Sequence, residues 1–187
     1  MYTEQNSVFI TSDYIDIPEV CGLSDIHHGK GNVVISSDGG EFLAFLMAKD
    51  ILHGRVVTTV GSGSVFSTAL DIFLLGEKRL ATPDTRFLMH RSRYIENGRP
   101  VCACEALMMA EISMLENKPL SANEQNAVAL ALERCDHIAA NLIATRTRLE
   151  IDRAMAMMDG DGTYLSLRDA LAYGFVNEVI PATMVAL

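Results

Sequence analysis

A serine and a histidine in this chain of 187 residues are placed where they could act as a nucleophile and a general base. Ser67 stands at the start of a short apolar segment typical of a helix, and His90 ends an apolar segment typical of a strand. A serine hydroxyl becomes a nucleophile when an imidazole within hydrogen-bonding reach accepts its proton. Together Ser67 and His90 predict nucleophilic catalysis, provided that the fold brings the helix and the strand together.

The sequence predicts alternating strands and helices, and these elements must position Ser67 and His90. Several short segments are apolar on both faces, as buried parallel strands are, and mostly apolar helical segments follow two of them. The predicted strands cover residues 7–12, 32–37, 56–60, 79–81, 86–89 and 175–180, and the first helices cover 41–52 and 66–75. Strand, helix and strand in this order predict βαβ units, and therefore an α/β core.

A long helical region follows, over residues 100–158. Capping-box patterns predict helix starts at Ser121 and Thr147. Ser166 predicts the start of a last short helix, which Gly174 would end. One α/β core is too small to cover the apolar faces of so many helical residues. We therefore expect another subunit to cover some of them.

Composition narrows the classes of function. A hydrophobic content of 49% supports one folded domain over residues 1–187. The net charge of -9 argues against nucleic-acid binding, because phosphate contacts need clustered lysine and arginine. The N-terminus has no basic region typical of a signal peptide, and no apolar run approaches the roughly 20 residues of a membrane span. We therefore expect a cytoplasmic protein with no nucleic-acid or membrane partner.

The four cysteines do not have the paired spacing of a zinc site, although Cys102 and Cys104 are close enough to be considered as a metal or redox pair. We expect no metal site and no cofactor. The glycine-serine run at 61–64 lacks the Gly-Lys-Ser/Thr ending of a phosphate-binding loop.

Four short passages carry a resemblance to a known family. They are SSDGG at 36–40, GSVFS at 63–67, TPDTRFLMH at 82–90 and YLSLRDALAYGFV at 164–176. In order and spacing they resemble motifs of the Clp protease proteolytic subunit, and more closely of its shorter phage and prophage relatives in the ClpP/crotonase superfamily. The resemblance implies an α/β ClpP/crotonase fold of repeated ββα-type units, with a helical handle inserted at about residues 95–145.

The same resemblance implies a serine-type endopeptidase that hydrolyses peptide bonds through an acyl-enzyme on Ser67. His90 would be the general base. The N–H groups of Gly40 and Thr68 would form the oxyanion hole, because a glycine turn and a helix start both leave an N–H free to face developing negative charge.

An acid should hold the second nitrogen of the histidine, and in the family it is an aspartate at the position where this chain has Gly162. We expect Asp161 in this role, because the glycines on both sides let the backbone shift by one residue. Asp159 is the alternative.

Two further residues have open roles. Asp71 follows Ser67 by one helical turn and so lies on the same helix face. It is expected to pair with Lys78, Arg79 or a neighbouring subunit, or to act as an alternative acid. Ser64 is the alternative nucleophile if the loop is shifted by three residues.

The implied partners are a peptide or unfolded protein substrate and further copies of the chain in a ring, usually heptameric and often stacked. An ATP-dependent unfoldase or a ClpP-like sister subunit is a further implied partner. Asp38, Phe66 and Gly162 depart from the family pattern and favour a second hypothesis, an inactive structural or regulatory ClpP-like subunit. A crotonase-type acyl-CoA enzyme is the third hypothesis, against which the order of serine, histidine and tail motif argues.

Overall fold

The computed structural model describes residues 7–26, 30–93, 95–96, 99–100 and 121–185, which form strands and helices in alternation. The strands are β1 (Ser7–Ile10), β2 (Lys30–Ser37), β3 (Val56–Phe66), β4 (Lys78–Ala81), β5 (Arg86–Met89), β6 (Ile95–Glu96), β7 (Arg99–Pro100), β8 (Thr163–Leu165) and β9 (Glu178–Val179). The α-helices are α1 (Ile17–Cys21), α2 (Phe42–Ile51), α3 (Thr68–Leu74), α4 (Ala122–Arg146), α5 (Ile151–Met158) and α6 (Leu167–Tyr173), with short 3-10 helices at Gly22–Asp25 and Ala182–Met184.

A parallel sheet in the order β1, β2, β3, β4, β9 forms the centre of the molecule. Its middle strands are buried on both faces, with Val33, Val34 and Ile35 fully enclosed. Such strands need apolar side chains at every position, which is why they read as continuous hydrophobic runs. The predicted α/β class and parallel strands are confirmed. Among the described residues, no helix is both long and apolar enough to cross a bilayer.

Strand β2 pairs with one edge of β3, and two different strands share the other edge along its 11 residues. The first half of β3 runs parallel to β4, and its last residues, from Ser64 to Phe66, run parallel to β5. Strand β5 then pairs with β8 in the antiparallel direction. The predicted strand stopped at residue 60, whereas β3 continues through two glycines. A side chain at Gly61 would meet the Thr85 methyl group, and Gly63 has φ +72°. The ends of β3 and β5 are therefore adjacent.

Helix α3 follows β3 and is buried along its whole length. It is covered by α2 on one side and by α4 on another. Helix α4 starts with the predicted capping box, in which Ser121 and Glu124 bond each other's backbone N–H groups. The helix start predicted at Thr147 is wrong. Thr147 ends α4 and the next N–H, of Arg148, donates to Tyr173 O, so α5 begins only at Ile151.

The last helix begins and ends as predicted. Ser166 caps α6 by accepting the N–H of Asp169, and Gly174 ends it with φ +82°. The strand predicted at 175–180 is reduced to the two residues of β9, because the Asn177 side chain accepts the Arg79 N–H before regular pairing begins.

Of the handle predicted at about 95–145, the described part consists of the short hairpin of β6 and β7 and the long helix α4. Residues 101–120 lie outside the described part of the chain, as do Cys102 and Cys104. Helix α4 buries one face against α3 and α5 and leaves Leu130 exposed on another.

Candidate active site

Ser67 lies at the turn from β3 into α3, with φ +52° and ψ -126°. Among the described residues it is the one non-glycine residue with positive φ, a conformation that costs about 1–3 kcal/mol. The Ser67 N–H donates to Leu88 O at 2.9 Å, and a side chain at Gly39 would begin 2.7 Å from Ser67 Cβ. Ser64, the alternative nucleophile, lies inside β3 opposite Arg86. A strained strand-to-helix turn presents the nucleophile of many hydrolases, which favours Ser67.

His90 follows β5 directly and lines the same cleft as Ser67. Its Nδ1 atom lies 2.7 Å from Arg91 O. Because a carbonyl oxygen only accepts hydrogen bonds, Nδ1 carries the proton of the neutral ring and donates it to this oxygen. The lone pair of the neutral ring is then on Nε2, the nitrogen that a general base needs for a serine hydroxyl.

The two predicted oxyanion donors belong to adjacent helix starts. Gly40 precedes α2, and Thr68 is the first residue of α3. The Thr68 hydroxyl donates to Gly40 O at 2.9 Å and thereby ties the two starts together. The N–H groups of both residues have no acceptor among the described residues. Two N–H groups of this kind can stabilise an oxyanion at the mouth of the cleft.

Two residues of the glycine turn at 36–40 bear on this candidate oxyanion site. A side chain at Gly40 would begin 2.1 Å from Ile15 O, so this backbone position accepts glycine alone. The Asp38 side chain is exposed, and water therefore screens its charge from the oxyanion site.

Asp71 lines the cleft together with Ser67 and His90. Burial, reinforced by the nearby charge of Asp136, raises the pKa of Asp71 from 3.8 to about 8. The predicted pairing of Asp71 with Lys78 or Arg79 is wrong. Lys78 instead bonds Glu178, and the guanidinium of Arg79 donates to backbone carbonyls.

Gly162, which stands where the family has its aspartate, packs against His90. A side chain at Gly162 would begin 2.6 Å from His90 Cβ and 2.3 Å from Met89 O, and Gly162 has φ +86°. The backbone at this position therefore excludes an aspartate.

Neither predicted acid bonds the imidazole of His90. The Asp161 carboxyl is exposed and has no hydrogen bond or ion pair among the described residues. Asp159, the alternative, pairs with Arg91 at 2.6 Å. The structure thus brings Ser67, His90, Gly40 and Thr68 together at one cleft and leaves Asp161 outside it, so its role stays a prediction.

A network that sequence reasoning missed holds the segment after His90. The guanidinium of Arg91 bonds Asp159 and also Asp136 of α4, at 3.2 Å. Asp136 is buried and accepts the Ser92 N–H at 2.6 Å. The hydrogen bond that Arg91 donates to Asp159, and a second that it donates to Asp136, hold the pKa of Arg91 above its usual value. The signal in the sequence was an aspartate within the apolar face of a helix, at the spacing of residues 139, 140 and 143.

Comparison with known proteins places these features in a family. A family model described as Clp protease matches residues 24–183. The chain belongs to the Clp protease family. The predicted ClpP-like resemblance is confirmed, whereas the phage subtype stays a prediction. A comparison with curated protein sequences finds no significant match.

Solved structures of this Clp protease fold are similar over almost the whole chain. A point mutant of ClpP1 from Listeria monocytogenes has a TM-score of 0.69 and 25% identity, covering 95% of this chain and 92% of its own. Unmutated ClpP1 from the same organism has a TM-score of 0.67 and 23% identity, covering 94% of this chain and 91% of its own. These similarities confirm the predicted ClpP fold.

Proposed function

We propose that this Clp protease family member is a serine-type endopeptidase that cleaves peptide bonds through an acyl-enzyme on Ser67. The observation that carries the proposal is the position of Ser67 at a strained strand-to-helix turn, in one cleft with His90. Gly40 and Thr68 support it, because their N–H groups are free for an oxyanion.

In the first half of the reaction, Ser67 Oγ attacks the carbonyl carbon of the scissile bond while His90 Nε2 takes the hydroxyl proton. The carbonyl oxygen becomes an oxyanion that the N–H groups of Gly40 and Thr68 stabilise. The carbon–nitrogen bond then breaks, His90 gives its proton to the leaving amine, and the acyl group remains on Ser67 as an ester.

Water completes the cycle. His90 takes a proton from a water molecule that attacks the ester carbon, and the bond to Ser67 Oγ breaks. The proton passes from His90 to Ser67 Oγ, and the product leaves with a new carboxyl group. In both halves the carbonyl of Arg91 holds Nδ1–H and keeps the ring oriented.

We further propose that the active form is a ring of copies of this chain, in which the handle helix α4 makes the contact between stacked rings. Its substrate would be a peptide or an unfolded protein. Two large apolar side chains exposed on α4, Leu130 and Ile138, support such a contact. By resemblance to the family, the ring would bind an ATP-dependent unfoldase or a ClpP-like sister subunit.

Labelling with a fluorophosphonate tests the peptidase proposal. The wild-type protein should be labelled on Ser67, and the Ser67→Ala and His90→Ala variants should not. Ser64→Ala is the matched control and should be labelled like the wild type, because Ser64 lies within β3.

An inactive ClpP-like subunit is the second candidate, favoured by the glycine at position 162 where the family has its aspartate. A folded wild-type oligomer without any fluorophosphonate label, and without hydrolysis of a casein substrate, would contradict the peptidase proposal and support this second function.

A further inference from the structure

The floor of the active-site cleft carries an acid that the proposed mechanism does not use. Asp71 is only 8% exposed, yet it lines the cleft one helical turn after Ser67. Its carboxyl group makes no hydrogen bond or ion pair with any described residue. An unpartnered buried carboxyl that faces a cleft is suited to binding a group that enters from outside.

Charges around the cleft floor favour a cation as that group. Burial and the negative charge of Asp136 together raise the pKa of Asp71 to about 8. Both effects oppose a second negative charge and would be relieved by a positive one. Arg91 lies nearby, but its guanidinium is already shared between Asp136 and Asp159.

Apolar side chains also line the cleft that Ser67 and Asp71 share. They are Leu70, Met89, Ile143 and Met158. Asp71 lies four residues beyond Ser67, about 6 Å along the helix axis. A guest that reaches Asp71 from the reacting carbonyl therefore needs an apolar stem of several methylene groups with its charge at the tip.

We propose that Asp71 is a specificity-determining residue that selects peptides with lysine on the amino side of the scissile bond. The inference rests on the peptidase function proposed above. Lysine carries a compact charge on a four-carbon stem, which suits a single carboxyl group in a cleft with apolar side chains.

Three fluorogenic peptides that differ only at this substrate position test the inference: one with lysine, one with norleucine and one with N-acetyl-lysine. Norleucine keeps the stem without the charge, and the acetylated residue keeps the length without the charge. The kcat/KM values are measured for the wild type, Asp71→Asn and Asp50→Asn, each normalised to the fraction of protein labelled by fluorophosphonate. Asp50 is an exposed aspartate on α2 and serves as the matched control.

The wild type and Asp50→Asn should cleave the lysine peptide at least about tenfold faster than either uncharged peptide, the ratio expected of a charge-assisted hydrogen bond. In Asp71→Asn this ratio should fall to about one or below. Circular dichroism checks that the variant is folded, and if it is not, the wild-type ratios alone decide.

Two outcomes overturn the inference in distinguishable ways. If Ser67 is labelled and the wild type cleaves the uncharged peptides as fast as the lysine peptide, the inference is wrong while the peptidase function stands. If folded Asp71→Asn still prefers the lysine peptide, the inference is likewise wrong and the peptidase function again stands. If no label and no cleavage are found, the peptidase function fails and the inference fails with it.

Discussion

Backbone groups hold both residues of the candidate catalytic pair. The Ser67 N–H is fixed by Leu88 O, and the proton of His90 Nδ1 by Arg91 O. Side-chain types could predict the pair, because a serine at a helix start and a histidine at a strand end have recognisable surroundings. They could not predict the carbonyl of Arg91, because every residue offers a carbonyl and its direction depends on the folded backbone.

Replacing Gly39 with alanine should distort the turn that presents Ser67. The new Cβ would begin 2.7 Å from Ser67 Cβ and 2.9 Å from Phe66 O, at φ +108°. We expect the free energy of unfolding to fall by about 2 kcal/mol and the rate of fluorophosphonate labelling to fall by at least about tenfold. Urea unfolding and labelling kinetics measure the two effects.

Gly54 provides the control for Gly39. It also has positive φ, at +73°, but no atom lies within 4 Å of a Cβ built there. Gly54→Ala should be destabilised only by the strain of the left-handed conformation, about 1 kcal/mol, and should be labelled at the wild-type rate. Equal labelling rates in the two variants would contradict the proposed role of Gly39 at the turn.

Asp71 should make the stability of the protein fall as the pH rises from about 4 to about 8. Its pKa is 3.8 in an unfolded chain and about 8 in the folded protein, so in this window the folded state keeps a proton that the unfolded state loses. The free energy of unfolding then decreases with pH, by at most about 1.4 kcal/mol per pH unit from this one group. The stabilising contribution is complete below pH 3.8 and absent above about 8.

The Asp71→Asn variant isolates this effect, because asparagine does not titrate. Relative to the wild type, the variant should gain stability as the pH rises from about 5 to about 8 in urea unfolding experiments. Asp50→Asn should follow the wild-type curve, since Asp50 is exposed. Parallel curves for the wild type and Asp71→Asn would show that Asp71 is ionised in the folded protein.

At the scale of elements, the local sequence predicted a helix start correctly where the capping residue bonds an N–H three residues later. The prediction failed where a hydrogen bond to a residue far along the chain sets the backbone conformation. Ser121 and Ser166 cap their helices through residues three positions on, so their patterns are sufficient. At Thr147 the same pattern is present, but Tyr173 O binds the next N–H and the chain stays extended. The fold class followed from apolar runs, whereas such long-range bonds depend on tertiary packing.

Arg79 is the clearest case of a long-range bond between elements. Its buried guanidinium donates to four carbonyls, those of Gly76, Arg146, Gly174 and Phe175. These carbonyls lie after α3, at the end of α4 and after α6. One side chain therefore joins the ends of three helices, where backbone acceptors have no partner within the helix.

Replacing Arg79 with methionine should lower the free energy of unfolding by at least about 3 kcal/mol, because several buried carbonyls lose a charged donor. Thermal and urea unfolding measure the loss. Arg134→Met is the control, since Arg134 is exposed on α4, and it should change stability by no more than about 0.5 kcal/mol. Similar small losses in both variants would mean that the four bonds contribute little.

At the scale of the whole molecule, the Clp protease fold supplies a sheet that places β3 and β5 side by side and a long helix α4 that closes the cleft. Asp136 connects the two parts, because it lies on α4 and bonds the segment after His90. Movement of α4 would therefore change the position of Arg91 and Ser92, and through them the position of His90. Assembly through α4 and catalysis are thus expected to depend on each other.

Replacing Leu130 with glutamate tests this dependence. Leu130 is 56% exposed on α4, and a charge there should weaken a contact between subunits, because a buried charge without a partner is costly. We expect a smaller mass in sedimentation velocity experiments, together with slower labelling of Ser67 by fluorophosphonate. Val56→Glu is the control, since Val56 is 57% exposed at the start of β3, away from α4, and it should leave mass and labelling unchanged. A Leu130→Glu protein with the wild-type mass would place the subunit contact elsewhere, and a smaller protein labelled at the wild-type rate would separate assembly from catalysis.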